Sequence, residues 1–246
     1  MRETYLVILN SIKNNLRLKI VLIVYIAVTI MCVLGITIAL YFFLIAPEMK
    51  TGLPDKSKPE LYLGLIMYST CFISLGINLN SLAFQSMTRE KSRGNIESLL
   101  ATPLEAKSIW IAKSIAIFIP GLILGEVLTL ITLIAVNYIY FVPEIGFIFN
   151  PWLAVSSFLA APLIYLCLSL LIHFIGLTGK PATGNIIVQI FLPVMISLMI
   201  NLAVRNILDI TSWSFTLANL GIAVLIAIIV IFLLPRLTRE RIVLSR

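Results

Sequence analysis

The sequence predicts an all-α membrane protein: a bundle of six transmembrane helices, with an N-terminal interfacial helix and one short cytoplasmic helix between the second and third spans. Three observations predict it. Of 246 residues, 60% are hydrophobic and only 12% charged, with a mean hydropathy of +1.08. A soluble chain of this length cannot bury that much apolar surface, so its solvent must be lipid. Six windows reach the ~20 apolar residues that a span requires, and the basic residues gather on alternate connections.

Residues 1–18 open the chain with Tyr5, Ile8, Leu9, Ile12 and Leu16 at helical spacing, flanked by Arg2, Glu3, Lys13 and Arg17. That pattern suits a helix lying in the membrane interface, with a plain extension of the first span as the alternative. The spans follow at Lys19–Ala46, Leu61–Met87, Ile109–Phe141, Trp152–Leu177, Thr183–Val204 and Trp213–Pro235. Their cores lack Lys, Arg and Asp. The first apolar run is too long for a secretory h-region and follows a charged helix. The third window, at 1.5 Å per residue, is roughly 50 Å long against a hydrocarbon core of ~30 Å. It must tilt, kink or project, and Pro120-Gly121 offers a kink. The whole chain reads as one transmembrane domain, 1–246.

With six spans, both termini share a side. Of the 18 Lys and Arg residues, all but Lys50, Lys56, Lys58 and Arg205 fall on that side. The positive-inside rule then puts both termini and Thr88–Pro103 in the cytoplasm, with the chain crossing the plasma membrane. The net charge of +7 is thereby a topology signal helped by anionic lipid, and needs no nucleic acid. Tyr41, Phe42, Phe43, Tyr62, Tyr138, Tyr140, Phe141, Trp152 and Trp213 fall at outer ends and Trp110 at an inner end, as aromatic belts do. Cys32, Cys71 and Cys167 are scattered through spans without metal spacing and read as packing residues.

The longest charged interruption is Thr88–Pro103, TREKSRGNIESLLATP. Gly94 suits the left-handed end of the incoming helix. Asn95 is a candidate N-cap for a short helix with Ile96, Leu99 and Leu100 on one face. Thr102, with Pro103 at N1 and Glu105 at N3, reads as a second cap, in capping-box form. A capped, charged elbow of this kind offers a soluble partner something to hold.

Other candidates are sparser. Glu126 is the one acidic residue deep in a span. An intramembrane carboxylate is costly and marks either a translocation path or a helix–helix hydrogen bond. His173, near the inner end of the fourth span, has no accompanying catalytic motif and reads as a packed side chain. Asn78, Asn80 and Gln85 in the second span, and Asn185 and Gln189 in the fifth, read as interhelical hydrogen-bonding groups. Gly121 and Gly125 form a GxxxG, and Gly64, Gly76, Gly176 and Gly184 also permit close approach. Gly179-Lys180 lacks the rest of a phosphate-binding loop, so any ATP is hydrolysed on another chain.

The stretch from Thr88 to Lys113 resembles the signature of ABC-2-type permeases, the membrane subunits of a class of ATP-binding-cassette transporters. That family carries E-[KR]-x-x-G-[TS]-[LI]-E-x-L-L-x-[TS]-P after its second span. Here it falls on Glu90, Lys91, Gly94, Ile96, Glu97, Leu99, Leu100, Thr102 and Pro103, with Lys113 opening the third span. Asn95 replaces the family's hydroxyl residue, and Ala112 its usual glycine before the lysine.

The resemblance implies a coupling helix seated on a separate ATPase subunit. Two permease chains, the same or homologous, would pair with two ATPase chains, and this chain would bind no cofactor itself. The short external loops favour export. A haem- or cofactor-maturation permease is a related alternative. A mechanical, non-transport complex subunit is another. A membrane-embedded enzyme of lipid metabolism is a further one; it would need acidic and histidine side chains around one cavity.

Overall fold

The computed structural model describes residues 2–17, 19–47, 57–205, 207 and 209–244. It is all-helical, and six of its helices are long and apolar enough to cross a membrane. These are the properties of a multi-pass membrane protein. Helix α1 (Arg2–Leu16) precedes α2 (Lys19–Leu40), which continues through a π-helical turn at Tyr41–Ile45. Helix α3 (Ser57–Asn78) passes through a second π-turn, Leu79–Ala83, into α4 (Phe84–Ser92). The short α5 is Asn95–Leu100, and α6 runs from Ala106 to Val136. Helices α7 (Pro151–Val155) and α8 (Ala161–Thr178) form the fourth span around a π-turn at Ser156–Ala160. Helices α9 (Pro181–Val204) and α10 (Trp213–Leu233) complete the spans, and α11 (Arg239–Leu244) follows. Every expected window falls on one of these spans. Lys50 and Lys56, expected in the outer loop, lie outside the described residues.

The second span is the most enclosed of the six. Helix α3 packs on α2, α6, α8 and α9, while α10 packs on α8 and α1 on α6. Helices α2, α9 and α10 leave most of their surface facing outward. Lipid offers no hydrophobic force to draw helices together, so close packing and polar contacts must do it. An aromatic cluster fills the centre: Phe72 stacks on Tyr68 and meets Tyr165 edge-on, and Phe215 meets Tyr68 edge-on. The Tyr68 hydroxyl donates to Asn219 Oδ1 across to α10. Ser156 and Thr216 share a hydrogen bond at 2.8 Å, and Ser169 Oγ donates to the Ser114 carbonyl at 3.0 Å.

Among the described residues Asn78 acts as the expected interhelical amide, donating to the Ile117 carbonyl at 2.9 Å. Gly121 makes this possible, because a Cβ there would collide with the Asn78 side chain. Gly125 meets Ser74 and Leu75 of α3, so the GxxxG lines the α3–α6 seam. Helix α6 runs through Pro120 without interruption. At Gly121 the helix admits a neighbour's amide to the Ile117 carbonyl. By contrast Gln189 is exposed, and Asn185 Oδ1 is buried without a partner among the described residues. The Gln85 side chain lies outside the described residues.

Two expectations are corrected in position. Trp110 is buried, not at a belt: its indole donates to the Leu170 carbonyl at 2.8 Å and locks α6 to α8. Phe141 is likewise buried, while Phe42, Phe43, Tyr138, Trp152 and Trp213 are exposed at the opposite end, as belt residues are. In α1 the buried positions are Ser11 and Asn15, and Tyr5, Leu6, Leu9 and Leu16 point away. The apolar stripe of α1 thus serves mainly the surroundings, and its small polar stripe serves α6.

Candidate functional site

The site is the elbow between the second and third spans. Arg93 and Gly94 separate α4 from α5, and Gly94 adopts φ +69°. Only glycine takes this left-handed conformation without steric cost. The expected cap at Asn95 moves by one residue. The Ser98 amide and hydroxyl both donate to the Gly94 carbonyl, at 3.1 and 3.2 Å, so Gly94 holds the N-cap position and Asn95 is the first helical residue. The expected capping box at Thr102 does not form. Thr102 Oγ1 donates back to the Leu99 carbonyl at 2.6 Å and closes α5 from its C-terminal end. Helix α6 begins at Ala106, behind an extended Glu105 whose side chain makes no cap bond. Pro103 sits exposed in the turn between the two helices. A threonine between two helices can serve either, and here the carbonyls behind it win.

The face carrying Ile96, Leu99 and Leu100 turns inward. Ile96 and Leu100 are buried in the main core, and Leu99 packs against it half-buried. These residues therefore seat α5 on its own chain. Its outward face presents Asn95, Ser98 and Ala101. Glu97 belongs to α5, but its side chain lies outside the described residues.

Braces hold the elbow in place. Glu90 Oε1 and Lys113 Nζ form an ion pair at 2.5 Å between α4 and α6. Lys91 Nζ donates to the Gly179 carbonyl at 2.6 Å, at the α8–α9 junction. Met87 packs where a side chain on Gly176 would otherwise stand. From the other side, Arg239 of α11 donates to the Leu104 carbonyl at 2.7 Å. Sequence reasoning did not pair Glu90 with Lys113. A signal existed: Lys113 stands alone in an apolar run and needs a counter-charge, and Glu90 is the acid at the same end of the preceding span.

His173 joins this site. It is buried on α8, and its Nδ1 pairs with the Ser169 carbonyl at 2.8 Å. Nε2 has no partner among the described residues. With Glu90, Lys113, Met87 and Ile96 it surrounds a void of about 10 Å³, room for roughly one water molecule. Glu126 is elsewhere. It lies thirteen residues beyond Lys113 on α6, about 20 Å along the axis, half-buried beside the α3–α6 seam. Its carboxylate has no hydrogen-bond or ion-pair partner among the described residues. Glu126 and His173 thus do not share a cavity. Among the described residues, no three His, Cys, Asp or Glu side chains gather as a metal site requires.

Among known proteins, no family model, no curated protein and no solved structure matches the chain.

Proposed function

We propose that the chain is the permease subunit of an ATP-driven transporter of the ABC-2 type, working as an exporter. In this reading α5 is the coupling helix, α1 lies in the cytoplasmic interface, and both termini face the cytoplasm of the plasma membrane. ATP is hydrolysed on a separate subunit, and a second permease chain, the same or homologous, completes the path. One observation carries the reading. Glu90, Lys91, Gly94 and Lys113, which bear the resemblance, are also the residues that set and brace the elbow. A segment that must transmit a push has to be rigid and tied to the spans it moves. A solvated loop needs neither.

The inward turn of Ile96, Leu99 and Leu100 changes which substitutions are informative. Leu99→Asp strikes folding and docking together. Ser98 faces outward, so it separates them. A photocrosslinker at position 98 should capture an ATP-binding chain in intact membranes, and Ser98→Trp should abolish its co-purification while the permease still inserts. Capture of no such chain, with co-purification unchanged in Ser98→Trp, overturns the proposal.

A further inference from the structure

A groove of about 420 Å³ runs between α1, α2 and α6. Its walls are Ile12 and Leu16 of α1, Leu22 and Ile26 of α2, and Ile119 and Ile123 of α6. It exists because α1 packs on α6 and α2 packs on α3, while α2 and α6 hardly touch. The walls are almost wholly apolar, and Leu16 and Ile123 are exposed along it. Water gains nothing in such a channel, which lacks the polar partners it requires. Within a bilayer the available filler is an acyl chain.

The mouth of the groove has a charge. Lys13 follows Ile12 in α1 and Arg17 follows Leu16 just past its end, and both are exposed. Lys19 opens α2 and shares a helical face with Leu22 and Ile26, at i, i+3 and i+7. Three exposed cations are thus next to groove-lining residues in sequence or share a helical face with them, and α1 also exposes Tyr5, Leu6 and Leu9. Polybasic, amphipathic segments of this kind attract anionic headgroups, while the slot takes the chain below.

We propose that the α1–α2–α6 groove holds one acyl chain of an anionic phospholipid, whose headgroup is bound by Lys13, Arg17 and Lys19. The lipid acts as a resident filler that fixes α1 against α2, and the site does not depend on the transporter reading.

The test is native mass spectrometry of the full chain in detergent, titrated with phosphatidylglycerol or phosphatidylcholine of identical acyl chains. Phosphatidylglycerol should be retained at about tenfold lower concentration, a conservative share of the attraction that three cations supply. Lys13→Gln/Arg17→Gln/Lys19→Gln should remove the difference between the two lipids. Ile123→Trp should reduce retention of both, with unchanged helicity. A phosphatidylglycerol carrying a photoreactive acyl chain should mark residues 119–127 of the wild-type chain. Equal retention of the two lipids by the wild type overturns the proposal, as does labelling confined to other helices. If Ile123→Trp instead breaks a dimer and leaves lipid retention unchanged, a second copy covers the groove and the proposal fails.

Discussion

Single residues decide how closely these helices approach. Lys113 is 9% exposed and owes its tolerable burial to Glu90. Removing one partner of a fully buried pair costs about 3–5 kcal/mol. The side chains here keep 11% and 20% of their exposure, so Glu90→Gln should cost about 2 kcal/mol, a fall of roughly 5 °C in Tm. The swap Glu90→Lys/Lys113→Glu should recover at least half of that loss in a thermal-shift assay; no recovery would mean that the pair contributes packing and not charge. Gly121 makes a second, steric case. Gly121→Ala should destabilise by about 1–3 kcal/mol through overpacking against Asn78. Combined with Asn78→Ala, the loss should be smaller than the sum of the two single losses. Strict additivity in that double-mutant cycle would place the crowding elsewhere.

Elements were legible in the sequence to very different degrees. The spans stood out because lipid demands ~20 apolar residues, a requirement local to each window. Gly94 stood out because a left-handed residue between two helical patterns has one favoured occupant. The two caps differ from expectation because the Gly94 carbonyl takes the first helical bond of α5 and Thr102 Oγ1 turns back to the Leu99 carbonyl, choices that spacing alone does not rank. The face of α5 was correctly grouped but its covering was not readable: periodicity says that Ile96 and Leu100 share a side, not which neighbour fills it. The braces Glu90–Lys113 and Lys91–Gly179 link residues far apart in the chain, so they depend on the packing of whole spans. The elbow therefore supplies its own element-scale prediction. Gly94→Ala should cost about 1–2 kcal/mol, the penalty of an L-residue in the left-handed region. It should also loosen α5, seen as faster hydrogen exchange at the Ser98 amide, whose acceptor is the Gly94 carbonyl. Unchanged exchange would show that the packing of Ile96 and Leu100 alone holds α5.

The whole molecule divides into an enclosed centre and open flanks. Helix α3 is buried on most sides, whereas α2, α9 and α10 show broad apolar surfaces. Those surfaces meet lipid or a second copy, and the proposed pairing of permeases would draw on them. Orientation is a property of this scale too. The basic asymmetry predicts that an impermeant thiol reagent labels Arg93→Cys from the cytoplasmic side and Lys56→Cys from the outside, in a background with Cys32, Cys71 and Cys167 replaced. Labelling of both positions from one side would remove the topology on which the export reading rests.

Glu90 and Lys91 are neighbours on one turn of α4, and their side chains leave the axis about 100° apart. One grips α6 and the other the α8–α9 junction. Two grips in different directions from adjacent residues fix the rotation of α4 about its own axis as well as its place between its neighbours, so α4 cannot turn without breaking one of them.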